Sequence, residues 1–552
     1  MRAKIVRYCY TAIEYSLYGF ALTAFWAWSA MQLFFAFALA AYILKTFLDF
    51  KPQLKKTNVT LFDAAFMLMI LFSFISCFFG VNPSKSFGQH AFIKTTGWML
   101  LYIVARSSFA DLRQVKRTVW LLIWSALIGG IFAVAKGIYE HQDKFTGGLG
   151  HWIQLGMGMN FALALITAIF FYRMDKKSSK EGRTWALMLL IPAAVACFAA
   201  LIGSNASSAL VALAILVLVF LLIFRKTAAF TVVAVVLVVF LAGIYIVPNT
   251  GFGRSINKIT NLKHQSVSER LCMWKSGVNI IKDHPAGIGI DNMSLVYPKY
   301  MLPEAKEGNT AHLHNNFVQL AAERGIETLL AYFIFIIAFY MVSIKALHKI
   351  SNLFERYLVA GIIGVFTVLV VSGIFEYSWG TSQTILNFWF LSGLGMAVVS
   401  KHLSGKRAAV FLDRDGTINV EKEYLSEPKD LKLIRGAAEG IKILNDAGYL
   451  AIVTTNQSGV GRGLFTEKTL KKIHAKLVLL LERKDGARLD SIVYCKHSPD
   501  AGCDCRKPLP GMINKAAEDF NVNIKKSYVV GDKKADIEFG KKAGAKTILV
   551  LT

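Results

Sequence analysis

Residues Phe411 to Asn419 read FLDRDGTIN, an apolar run that ends in two carboxylates, Asp413 and Asp415, set two positions apart. Such a pair can share one hard cation and divide nucleophilic from acid–base duty. Three further stations follow: Thr455 with Asn456, Arg506 with Lys507, and Asp532 with Lys533 in VVGDKKAD. A hydroxyl, a lysine and a second acidic site are what phosphoryl transfer needs to hold equatorial oxygens, offset their charge and complete a Mg²⁺ shell. Cys495, His497, Cys503 and Cys505 form a separate cluster whose donors suit the closed tetrahedral shell of structural zinc. A cytosolic location argues against disulfides among those thiols. Zinc there would stiffen the loop that delivers Arg506 and Lys507.

Bringing these groups together takes a parallel sheet. Short apolar runs at 408–412, 450–454, 491–494, 527–530 and 547–550 read as strands. They alternate with helical patterns at 437–447, 467–484, 511–519 and 537–543. That alternation predicts βαβ units, and open sheets of this kind place ligands outside the carboxyl ends of their strands, where all four stations fall. The domain is expected to run over 408–552, about 145 residues, enough to bury one core.

The preceding four hundred residues are of another kind. The whole chain of 552 residues is 55% hydrophobic with 40 Phe, too apolar for a soluble protein. Runs of spanning length occur near 11–27, 28–48, 60–80, 90–106, 117–137, 152–173, 185–203, 207–224, 227–247, 326–344, 357–376 and 382–400, which predicts about twelve membrane helices over residues 1–400. The net charge of +26 does not mark a nucleic-acid partner, because the basic residues sit in short loops between apolar runs. With the N-terminus cytoplasmic, the loops around Lys55, Arg113, Lys176, Arg225 and Lys349 all fall inside, and an even number of spans returns Lys401 to the cytoplasm. Residues 401–407 then form a basic linker, and the second domain is expected in the cytosol. No small-residue cleavage site follows the first seven residues, so the first segment is expected to be an anchor. One outer, hence periplasmic, loop of about 248–325 is far longer than the rest and carries an amphipathic piece, Arg270 to Lys282.

His314 to Thr328, HNNFVQLAAERGIET, has His, Asn, nine residues, Gly, two residues and Thr, and in this it resembles the O-antigen ligase family. Arg270 in SERLCMWKSGVNIIKDHPAGIGI is similar to that family's region ahead of its histidine. The resemblance implies a metal-independent enzyme of the bacterial inner membrane that transfers glycan from a polyprenyl pyrophosphate carrier to the lipid A core. It casts His314 as general base or acceptor-orienting residue and Arg270 as pyrophosphate clamp, with Arg254 and Arg324 as further cations. Arginine suits a pyrophosphate because its fork cannot be deprotonated, and histidine suits a base because it titrates near neutrality. Asn205 stands where the family often carries an Arg.

The second domain resembles the haloacid dehalogenase (HAD) superfamily of phosphohydrolases from Ala408 to about Leu551. By that likeness Asp413 is the nucleophile and Asp415 the acid–base residue. Asp413, the backbone carbonyl of Asp415, and Asp532 bind Mg²⁺, while Thr455 and Lys507 hold the phosphoryl group. Asn456, Arg506 and Lys533 are further substrate contacts. The cysteine-bearing loop, TNQSGVGRGLFTE and CRKPLPGM narrow the likeness to D,D-heptose 1,7-bisphosphate phosphatases and the related histidinol-phosphate phosphatases. The five-residue spacer between His497 and Cys503 is short, as in the latter. Heptose belongs to the lipopolysaccharide core on which a glycan ligase acts, which favours a phosphorylated heptose as substrate. The alternative is a histidinol-phosphate or other sugar phosphatase fused to a polymerase or to a non-catalytic membrane anchor.

Overall fold

The computed structural model describes residues 2–48, 59–88, 91–109, 111–175, 178, 182–224, 265–306, 308–380, 382–403 and 406–551. The expected span at 227–247 and Arg254 lie outside them. The chain divides into a helical unit, 6–403, and a second unit formed mainly by 404–552.

The described helices of the first unit are α1 (Arg2–Thr23), α2 (Trp28–Leu48), α3 (Leu61–Phe79), α4 (Pro83–Phe87), α5 (Phe92–Ser108), α6 (Leu112–Tyr139), α7 (Trp152–Met174), α8 (Arg183–Gly203), α9 (Ser207–Phe224), α10 (Gln265–Asp283), α11 (Met293–Tyr300), α12 (Asn316–Lys349), α13 (Leu353–Phe375) and α14 (Ser382–Leu403). Among the described residues, nine of them, α2, α3, α6 to α9 and α12 to α14, are long and apolar enough to cross a membrane. The spans expected at 11–27 and 90–106 are helices too, but α1 begins in charged sequence and α5 has only 17 residues.

Starts are set by local chemistry. Thr60 and Asp63 form a capping box on α3, and Asn352 caps α13 by accepting from Glu355 N. Packing pairs α13 with α7 and α9, α14 with α5, α6 with α8, and α12 with α3. Close approach needs small residues: a Cβ on Gly393 of α14 would lie 2.8 Å from the Tyr102 carbonyl oxygen of α5. Inside, Phe62, Phe335, Phe339, Phe366 and Trp389 interlock. Outside, Phe47, Phe79, Met188, Val195, Leu222, Ile337 and Met341 are exposed, an apolar girdle that belongs in lipid. The helical unit is a membrane domain.

The span read as 326–344 starts where expected, just after Gly325, and a short helical stretch from Asn316 leads into it within α12. Asn315 accepts from the amides of Phe317 and Val318 and so starts a helical turn directly after His314. Gly325 then breaks the run with φ 85° and ψ 165°, a conformation that L side chains rarely adopt, and the helix resumes along the membrane segment. The backbone of 285–289 docks on that break, with Ile326 N donating to Pro285 O and Gly289 N to Glu323 O.

In the second unit five strands, β1 (Ala409–Leu412), β2 (Leu450–Asn456), β3 (Ser491–Cys495), β4 (Tyr528–Gly531) and β5 (Lys546–Leu549), form one sheet in the order β3-β2-β1-β4-β5. All pairs are parallel, with Phe411 beside Ile452 and Val529. Helices α15 (Ala437–Asp446), α16 (Ser458–Gly461), α17 (Glu467–Asp485), α18 (Gly511–Phe520) and α19 (Lys534–Ala543) complete it. Two apolar clusters lie on the two faces, one around Val410, Val453 and Leu477 and the other around Phe411, Ile452 and Ile513. The strand order reverses at β1, which puts the crevice at its carboxyl end.

Candidate active sites

In the second unit, β1 ends at Leu412 and delivers Asp413 into a cleft of about 360 Å³ lined by Asp415, Thr455, Asn456, Arg506, Lys507, Lys533 and Asp536. Lys507 Nζ sits between two carboxylates, 2.5 Å from Asp413 Oδ1 and 2.6 Å from Asp536 Oδ1. Asp413 is 8% exposed, and burial pushes its carboxyl up to about 6 against the opposing pull of Lys507. Carboxylate oxygens of Asp413, Asp532 and Asp536 lie within 4.8 Å of one another. Burial raises Asp532 as well, and its Oδ1 is buried with no hydrogen-bond partner. Gly416, with φ 76°, lets the loop after β1 pass that group, since a Cβ there would meet Asp532 Oδ2.

The Asp415 carboxylate is not part of this trio. It accepts from Arg414 Nη2 at 2.7 Å, Asn419 Nδ2 at 2.9 Å and Gln457 Nε2 at 3.0 Å. Gln457 Nε2 also donates to Thr455 Oγ1 at 2.9 Å, so one amide orients a hydroxyl and a carboxylate together. Asn456 exchanges two bonds with the Lys507 main chain, which anchors the lysine to the end of β2. Lys533 Nζ reaches Glu421 Oε2 at 2.5 Å on the cleft wall. Arg414, Gln457 and Glu421 carry no role in the sequence reading. Their signal was adjacency to a motif, which does not say where a side chain points.

Cys495 Sγ lies 3.6 Å from both His497 Nδ1 and Cys503 Sγ, and His497 Nδ1 lies 3.3 Å from Cys505 Sγ. A tetrahedron with zinc–sulfur bonds of about 2.3 Å has edges of about 3.8 Å, so the four donors stand at nearly the separation zinc requires.

In the membrane domain, Glu376 ties together the two residues singled out between 248 and 325. Arg270 of α10 donates through Nη2 to Glu376 Oε1 at 2.5 Å, and His314 Nδ1 lies 3.0 Å from Glu376 Oε2. Glu376 closes α13 and is 5% exposed. Three contacts hold the arrangement: Trp274, one turn beyond Arg270, donates to Leu313 O, Asn315 donates to Ile374 O, and Ser378 N donates to Asn316 Oδ1. His314 takes φ 49°, an uncommon conformation outside glycine. The His312 ring stands edge-on to it at 4.4 Å, its own pKa lowered to about 4 by burial and then by His314. His151, at the start of α7, is in electrostatic reach of both His314 and Glu376. Arg324 is elsewhere, buried against Ser73 of α3, and Asn205 donates to Asp143 O. Glu376 was missed in the sequence; a lone carboxylate at the end of an apolar span was its signal.

Comparison with known proteins bears on both units. A D-glycero-β-D-manno-heptose-1,7-bisphosphate 7-phosphatase of Haemophilus ducreyi is 42% identical over 155 residues, covering 27% of this chain and 85% of the relative. Namesakes from Pseudomonas putida and Helicobacter pylori are 41% and 38% identical, each over 144 residues, 26% of this chain, and cover 82% and 83% of those proteins. The chain belongs to the heptose-bisphosphate 7-phosphatase family. Residues 504–552 of the phosphatase domain also match a HAD-hydrolase-like family model. Residues 192–333 match the O-antigen ligase family model, so the chain fuses a member of the phosphatase family to an O-antigen ligase region, both of them enzyme families. Among solved structures, a D,D-heptose 1,7-bisphosphate phosphatase from B. bronchiseptica complexed with magnesium and phosphate is 36% identical, with a TM-score of 0.25, covering 26% of this chain and 79% of that one.

Proposed function

We propose that the chain is a bifunctional envelope enzyme of the bacterial inner membrane, with residues 1–400 transferring glycan outside and residues 408–552 hydrolysing a sugar phosphate in the cytoplasm. The observation that carries the phosphatase half is the Lys507 ammonium held between Asp413 and Asp536, at the head of a cleft whose family hydrolyses heptose bisphosphate. A carboxylate oxygen of Asp413 attacks phosphorus, the bond to the sugar oxygen breaks, and Asp415 gives that oxygen a proton. Water then attacks phosphorus, its proton goes to Asp415, and the bond to Asp413 breaks to free phosphate. Lys507 offsets the phosphoryl charge, and Thr455, which accepts from Gln457, keeps its own hydrogen for a phosphoryl oxygen. Asp413, Asp532 and the backbone carbonyl of Asp415 would hold Mg²⁺, with Asp536 beside them. The orphaned Asp532 oxygen among three carboxylates fits a hard cation. Bound there, Mg²⁺ neutralises charge on the transferring group. Arg506, Lys533 and Asn456 shape the rest of the cleft.

The substrate is the 7-phosphate of heptose 1,7-bisphosphate. The segment 401–552, which holds the match to 82–85% of the relatives' length, is expected with Mg²⁺ to release phosphate from that compound in preference to histidinol phosphate. A preference for histidinol phosphate in that assay would overturn the assignment.

Cys495, His497, Cys503 and Cys505 hold structural zinc, which sets the loop that ends in Lys507. Zinc binding is coupled to local folding. Chelation is therefore expected to release one zinc per chain, expose 495–507 to protease and slow phosphate release about tenfold, an estimate based on the sensitivity of catalysis to misplaced groups. Full activity in zinc-free protein, checked by metal analysis, would exclude this role.

For the membrane half, the shared carboxylate of Glu376 supports a ligase reading, since it orients the His314 imidazole and fixes Arg270 beside it. His314 takes the proton of the acceptor hydroxyl on lipid A core as that oxygen attacks the sugar carbon, and Arg270 steadies the departing polyprenyl pyrophosphate.

A further inference from the structure

Arg414 stands between the two carboxylates of the first motif, yet its side chain is 1% exposed. A charge so placed must find partners inside the protein. Its fork closes on Asp415: Nη2 lies 2.8 Å from Oδ1 and 2.7 Å from Oδ2, and Nε lies 3.0 Å from Oδ1. The remaining terminal nitrogen, Nη1, faces His474 Nε2 at 3.3 Å. Guanidinium only donates, so the imidazole must accept, with its own proton on Nδ1. Burial, helped by the Arg414 charge, lowers His474 to about 3 and keeps the ring neutral in that role. His474 is itself fixed from behind. It projects from α17 onto the Tyr494 ring, 5.3 Å away, whose hydroxyl donates to Glu467 Oε1 at 2.9 Å at the start of the same helix.

We propose that Arg414 and His474 are positioning residues for the acid–base carboxyl: Arg414 sets the plane of Asp415, and His474 sets the plane of Arg414. This rests on the phosphatase reading, in which Asp415 protonates the leaving oxygen and later takes a proton from water. Asn419 and Gln457 complete the grip on Asp415, but only the Arg414 fork constrains both oxygens from one rigid group. The proposal gives neither Arg414 nor His474 a part in holding the phosphoryl group, so substrate affinity is expected to stay as it is.

The test uses the full-length protein with Mg²⁺ and two probes. One is a sugar phosphate, whose alkoxide needs a proton to leave; the other is p-nitrophenyl phosphate, whose phenolate leaves without one. In His474→Ala, single-turnover phosphoryl transfer from the sugar phosphate is expected to slow about tenfold with KM within about twofold, a loss in line with misplacing a catalytic group. The p-nitrophenol burst should keep its wild-type rate. His474→Gln, whose amide oxygen can accept from Arg414, should recover most of the loss. Arg414→Lys, which keeps the charge but not the fork, should show the same split between probes and decides the matter if His474→Ala does not fold. Equal losses on both probes, or no loss on the sugar phosphate in either folded variant, would overturn the proposal. Absence of any turnover or burst in the wild type would instead remove the phosphatase reading, and this proposal with it.

Discussion

Asp413→Asn is expected to abolish phosphate release from heptose 1,7-bisphosphate, by about 10⁴-fold or more, the scale on which removing a covalent nucleophile acts. The amide is nearly isosteric, so the fold should survive, and Lys507 keeps its bond to Asp536. What disappears is the anion that attacks phosphorus and one of the carboxylates proposed to hold Mg²⁺. Rapid-quench experiments with ³²P-labelled substrate should show an acid-stable, hydroxylamine-labile phosphoryl group on the wild-type domain and none on the variant. Retention of even a few per cent of wild-type turnover by a folded Asp413→Asn protein would mean that another group takes the phosphoryl.

His314→Ala should remove glycan from lipopolysaccharide in cells while leaving phosphate release in extracts untouched. General-base loss costs about 10²–10⁴-fold, enough to erase capped lipopolysaccharide on a gel. Glu376→Gln separates position from proton transfer. It keeps the shape but gives up the charge that pairs with Arg270 and orients His314, and a partial loss of about 10- to 100-fold is expected, as for other residues that position a catalytic group. Capped lipopolysaccharide at wild-type levels in His314→Ala cells would remove the ligase reading. Wild-type levels in Glu376→Gln alone would leave His314 as base and dismiss the carboxylate.

The two units differed in how far their sites could be read from residue order. In the phosphatase domain the strand ends lay within two residues of expectation, because an apolar run of four to seven residues followed by a polar motif is local information. The cysteine-rich loop was legible for the same reason: its four donors fall within eleven positions. In the membrane domain apolar length marked helices well and placed the span after Gly325, but it gave no sign of the helical stretch from Asn316 that leads into it. The cap by Asn315 and the break at Gly325 depend on backbone geometry rather than hydropathy.

Residue order, then, already specified the class of each half, the Asp413/Asp415 pair and the clustering of three cysteines with His497, since strand period, span length and donor spacing are properties of neighbouring residues. Three-dimensional packing alone chose the partners. Asp413 meets Lys507 from 94 positions away, and Glu376 meets His314 and Arg270 from 62 and 106. Arg414 could have pointed to water but is buried on Asp415 and on His474, 60 positions further on. A buried charge takes whichever partner the fold brings within about 3 Å, and that proximity is written in no single stretch of chain.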